Sequence, residues 1–216
     1  MTPLASTATT GPAHLGQQPS DQPSAVPRVV LGVVGALLAV NAVVLAPLLF
    51  FDTQDYSEVA GTTVHLAHYV VWTACLVALS QLFPLLGGLR GRDGRGVPAT
   101  VLRTAAVGAA LAACAQFVTA FVNAFLADVA PHLLDTAPDA VLLVPLIVVT
   151  AVAGLAVAAF GIVGGTRRAL SAPAAVLIVV SGVALPVLGP LSNALLGLGL
   201  VLVAWRGRWA GSGVRA

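Results

Sequence analysis

Charge is what this chain of 216 residues has least of. Only 8% of its residues are Asp, Glu, Lys or Arg, where a soluble domain carries about 25%. With 58% hydrophobic residues and a mean hydropathy of +0.99, it has too few polar groups to cover a globular surface. Soluble globular, disordered and nucleic-acid-binding classes are excluded on that ground. Lysine is absent; all ten basic residues are Arg. Cysteine is nearly absent: Cys75 and Cys114 stand alone in apolar runs, with no CxxC and no cluster of ligands. A disulfide framework or a structural zinc site needs such a cluster. The single methionine is Met1, so the thioether that copper sites often use is missing. No charge lies deep inside an apolar run. Proton-coupled carriers and voltage sensors place ionisable groups there, so those classes are disfavoured as well.

What is present is long apolar runs. A spanning helix needs about 20 mostly apolar residues. Residues 29–51, 65–89, 101–126 and 140–164 meet this requirement. Residues 173–205 are too long for one span and are broken by Pro186, Gly189 and Pro190, which predicts two short helices over 174–188 and 191–205. The fold class expected is therefore all-α, a polytopic transmembrane helix bundle of six spans occupying 28–208. Residues 1–27, rich in Pro, Ser, Thr and Gln, read as a disordered tail. They lack the basic n-region and short apolar core of a signal peptide. Residues 209–216 read as a second, short tail.

Charge placement gives an orientation. Six spans put all ten arginines on one face together with Asp21 and Asp93, a formal +8. The other face carries Asp52, Asp55, Glu58, Asp128, Asp135 and Asp139, a formal −6. Arginine-rich loops stay cytoplasmic, so both termini are expected inside. The Ala, Val, Leu, Gly and Arg bias is that of a GC-rich bacterial genome, and the expected location is the inner membrane.

Candidate functional residues are few. Asn41, Gln81, Gln116, Thr119 and Asn123 are neutral polar groups within the apolar runs. Their amides are costly in hydrocarbon unless hydrogen-bonded, so Asn41, Gln116 and Asn123 are expected to turn inward. Gln116, Thr119 and Asn123 follow a three-then-four spacing that makes one stripe, and Gln81 would meet it from the neighbouring helix. His65 and His68 share a helix face, and His132 in the next loop on that side would join them in holding a metal, or two of them a haem. No cofactor is required by the pattern, and packing at the interface explains the same histidines. The Gly91–Gly96 turn lacks the Lys and the strand of a phosphate loop. Ser181-Gly182 has no histidine base after His132, which removes an intramembrane serine protease. Small residues at Ala105, Ala109, Ala113, Gly161 and Gly165 offer close helix packing, internal or between copies.

The second half, roughly residues 117–208, resembles a loose group of functionally uncharacterised small six-helix membrane proteins of actinobacterial type. The residues that carry it are Phe121-Val122, Ala130-Pro131-His132-Leu133-Leu134-Asp135, the Arg167–Arg168 pair, Ser171-Ala172-Pro173-Ala174-Ala175-Val176-Leu177 and the Pro-broken terminal hairpin. The resemblance implies the architecture and assigns no chemistry. Three functions follow as expectations. The first is a non-enzymatic scaffold or accessory component that meets the lipid bilayer, a membrane protein partner or a second copy. The second is a small-solute or lipid transporter with a neutral polar cavity. The third is a haem or metal redox protein using His65 and His68. No inverted repeat of the kind common in carriers is found between the second and fifth spans, which lowers the second.

Overall fold

The computed structural model describes residues 25–50, 56–60, 62–91, 94–135, 140–188 and 190–206. The expected tails, apart from residues 25–27, lie outside these. The described chain is all-α, with seven helices: α1 (Ala25–Phe50), α2 (Tyr56–Ala60), α3 (Thr63–Leu85), α4 (Ala99–Val129), α5 (Ala140–Thr166), α6 (Ala172–Leu188) and α7 (Pro190–Arg206). Four stretches are long and apolar enough to cross a membrane: Val26–Val44, Thr63–Gly88, Ala99–Val129 and Val144–Thr166. The helices α6 and α7 are apolar but have only 17 residues each. All six expected apolar helices are therefore present, and four have spanning length. The short α2 was not expected; five residues give too little periodicity to announce a helix.

Helix ends follow local chemistry. The Thr62 hydroxyl caps α3, accepting from the His65 amide at 3.2 Å and donating to the Val59 carbonyl at 2.8 Å. Pro190 opens α7, where a missing N–H costs nothing. After α5, Arg168 takes φ 55°, and the amides of Ala169 and Leu170 return to the Gly164 carbonyl at 2.9 and 3.1 Å. That is a left-handed cap of the kind glycine usually supplies.

The six apolar helices form a closed ring. Each packs on its neighbour in chain order, and the last returns to the first: α1 on α3, α3 on α4, α4 on α5, α5 on α6, α6 on α7, α7 on α1. The seam between α1 and α7 is latched at one end. Arg28 of α1 donates from Nε to the Ala204 carbonyl and from Nη2 to the Trp205 carbonyl at 3.1 Å. Those carbonyls belong to the last turn of α7 and have no partner within their own helix. This end of the ring, which also carries Arg90, Arg103 and Arg167, is called the arginine end below.

Two seams are made by glycine against glycine, in the same pattern. A Cβ on Gly35 of α1 would lie 2.7 Å from the Gly197 carbonyl, and one on Gly197 of α7 would lie 2.6 Å from the Ala39 amide nitrogen. On the other side of the ring, a Cβ on Gly154 of α5 would collide with the Gly182 carbonyl, and one on Gly182 of α6 would lie 2.8 Å from the Ala158 nitrogen. In both seams the backbones touch, which brings carbonyl oxygens onto Cα–H groups and maximises dispersion contact. Gly161 and Gly165 of α5 also face α6, against Ala175 and its neighbours. Ala105, Ala109 and Ala113 are buried in the core. These small residues therefore serve internal packing.

The registers show that the α6–α7 hairpin is short. Gly165 of α5 faces Ala175, and Ala158 faces Gly182. Continued at that rate, Leu188 comes level with about Val152, roughly 18 Å below the start of α5 at 1.5 Å per residue. Beyond that level α5 loses its neighbours on that side: Val144, Leu146, Ile147 and Val148 are all exposed.

Candidate interior polar site

The expected interior polar residues differ in burial. Asn41 and Asn123 are buried, each 8% exposed, and Gln116 is half-buried. Asn41 has a specific partner. Its Nδ2 donates to the His68 carbonyl at 3.1 Å, and its Oδ1 lies 2.7 Å from His68 Nδ1. One amide thus satisfies both its polar ends on one residue of the adjacent helix. Because Oδ1 can only accept, His68 Nδ1 is the donor in this contact. Thr119 instead bonds within its own helix, donating to the Ala115 carbonyl at 2.8 Å. Gln81 stands apart: it is exposed, and among the described residues its amide nitrogen donates to the adjacent Ser80 hydroxyl at 3.2 Å. It lies one turn before the end of α3, where a long amide reaches polar surroundings without turning inward.

His65 is fully buried, His68 is half-buried and His132 is exposed in the 3₁₀ turn Pro131–Leu133. Among the described residues no group of three His, Cys, Asp or Glu side chains is placed to hold a metal ion. His65 instead begins a column of rings on α3. Its centroid lies 4.9 Å from Tyr69 in an edge contact, and Tyr69 lies 5.9 Å from Trp72. All three are buried, and so are Val59 and Ala60 of α2. Large rings on α3 supply bulk at the end of the ring that the short hairpin does not reach.

Among the described residues, the space between α3, α4, α5, α6 and α7 is nearly filled. The cavity there has a volume of about 20 Å³, and five helices line it, with Leu79, Phe83, Ala112, Val157 and Leu196 among its walls. Its polar lining comes from Ser181 of α6 and Asn193 of α7, both buried. That is room for one water molecule. Ser181, Ser192 and Asn193 are not among the polar candidates read from the sequence. A larger groove, about 480 Å³, runs along the outside of α3 and α4 and includes Thr73, Ser80, Cys114 and Phe117. Cys114 is exposed in it, whereas Cys75 is buried in the core.

No protein-family model matches the chain, and no curated protein or solved structure matches it either.

Proposed function

We propose that the chain is a six-span protein of the bacterial inner membrane, with both termini cytoplasmic, acting as a non-enzymatic scaffold or accessory component. The observation that carries this reading is the closed interior. Among the described residues, the cavity lined by α3–α7 holds one water and the buried Asn41 is already satisfied by His68, which leaves little polar space there for a solute. The ten-to-zero division of arginines supports the orientation. The short α6 and α7 cross as a pair with the bilayer thinned at the hairpin, a modest cost. The resemblance of residues 117–208 to small six-helix membrane proteins of actinobacterial type belongs to the same proposal. A partner would be met on helix faces, and the exposed apolar stretch of α5 beyond the hairpin is the face left for one.

The test is a photo-crosslinking residue placed at Ile147 and, separately, at Val176, both exposed but at opposite ends of the bundle. In native membranes Ile147 should give one discrete protein adduct and Val176 lipid adducts alone. Lipid adducts alone at both positions would overturn the scaffold reading.

One observation favours a redox reading in second place. The Asn41 clamp holds His68 through Nδ1, the kind of outer-shell hydrogen bond that orients a metal- or haem-ligating histidine. An absorbance spectrum of the purified protein decides it: a Soret band that disappears in His68→Ala would establish haem.

A further inference from the structure

Two loops at the arginine end meet at Gly96. The first follows α3. Arg90 and Gly96 form an antiparallel bridge, and the Gly91 amide donates to the Arg95 carbonyl at 2.8 Å, which closes a tight turn. The second follows α5 and carries Arg167 and Arg168. Arg167 reaches across, and its Nη1 donates to the Gly96 carbonyl at 2.8 Å. On the other side of the same glycine, Arg90 Nη1 occupies the position a Cβ would take, while donating to the Gly87 carbonyl at 2.9 Å. Two guanidinium groups, from residues 77 apart in sequence, therefore converge on one glycine. Neither makes an ion pair among the described residues; each spends one N–H on a backbone carbonyl. A guanidinium has five N–H donors in a planar fork, so most of its donors remain available.

The surroundings add positive charge. Arg95 and Arg168 are exposed beside the pair, and Arg103 is exposed in the first turn of α4. Across residues 90–103 and 167–168 the sequence places six arginines against one acid, Asp93. Holding like charges together at a low-dielectric boundary is unfavourable unless an anion is shared between them. The site lies where two apolar helices, α3 and α5, end, which is the depth of lipid headgroups. The anion available there in quantity is a phosphodiester, and arginine forks bind phosphate oxygens through paired N–H bonds.

We propose that Arg90 and Arg167 form a binding site for the phosphate of an anionic phospholipid, with Gly96 as its floor and Arg168 as its rim. A Cβ at Gly96 would displace the Arg90 guanidinium from this position. The site staples the α3–α4 turn to the α5–α6 turn through the lipid headgroup.

The full chain, reconstituted in nanodiscs of phosphatidylcholine with or without phosphatidylglycerol, tests this by arginine footprinting and native mass spectrometry. Phosphatidylglycerol should protect Arg90 and Arg167 from phenylglyoxal and leave Arg206, at the far seam, unprotected. The wild-type chain should retain phosphatidylglycerol over phosphatidylcholine by roughly tenfold or more, as expected for two arginines at a headgroup. The double variant Arg90→Gln/Arg167→Gln should lose that preference, and Arg206→Gln should keep it. Equal phenylglyoxal modification of Arg90 and Arg167 in both nanodiscs would overturn the proposal, and that readout needs no variant to fold. Protection by millimolar inorganic phosphate in phosphatidylcholine nanodiscs, equal to that by phosphatidylglycerol, would overturn the lipid as the source. Neither outcome depends on whether the scaffold reading survives.

Discussion

Asn41 shows how strongly hydrocarbon selects hydrogen-bond geometry. Its amide has two kinds of polar end, and His68 answers both. Replacing Asn41 with Leu leaves the His68 ring donor without its acceptor; replacing His68 with Phe leaves the amide oxygen without its donor. A double-mutant cycle on Asn41→Leu and His68→Phe, read by unfolding in mixed micelles, should give a coupling of about 0.6–1.7 kcal/mol, the range for membrane hydrogen bonds. Additive effects would show that the pair does not act as a unit. The cysteines give a second prediction at this scale. Cys114 faces outward in the α3–α4 groove and Cys75 faces the core. In detergent a small maleimide should modify Cys114 many times faster than Cys75. In intact cells a membrane-impermeant reagent should modify neither, because lipid covers one and protein the other. Rapid impermeant labelling of Cys75 would reveal water inside the ring and contradict the solid centre.

At the scale of elements, the two glycine seams decide which helices are neighbours. Gly154→Leu or Gly182→Leu would drive a side chain into the backbone of the facing helix, and Gly35→Leu or Gly197→Leu would do the same at the other seam. Each should lower unfolding stability by at least the 1–3 kcal/mol typical of overpacking. Gly87→Ala is the control, since a Cβ there meets nothing within 4 Å and the change should be nearly neutral. The six helices themselves were legible in the sequence, because runs of about 20 apolar residues bounded by Arg, Asp, Pro or Gly have few other readings. Their neighbours were not legible. In lipid the outward face is as apolar as the inward one, so Val29 and Leu31, one exposed and one buried, look alike. Gly35 and Gly197 could not be paired by inspection in a chain with 22 glycines. The burial of Asn41 and Asn123 was legible from the cost of an amide in hydrocarbon. The identity of Asn41's partner was not, because His68 looked like an interfacial residue or a ligand rather than half of a clamp.

For the whole molecule the sharpest prediction is topological. With six crossings, a reporter fused after Arg206 should be active only in its cytoplasmic form, and one fused after Glu58 only in its external form. An external reporter after Arg206 would reduce α6 and α7 to a single crossing. The structure supports the pairing of chain ends independently of any bilayer, since Arg28 near the start of α1 is bonded to Ala204 and Trp205 near the end of α7.

The closed ring also sets an order in time. The main contacts of α1 are with α7, not with α3, which is the next apolar helix made. During synthesis α1 enters the membrane first and must wait for the last helix before its glycine face is covered. Contacts so distant in sequence are slow to form. In the interval the open strip along Gly32 and Gly35 is exposed to any other small-faced helix in the membrane. Ending translation after Leu188 should leave α1 in that state permanently, and a pulse-chase experiment should show such a chain degraded much faster than the full-length protein.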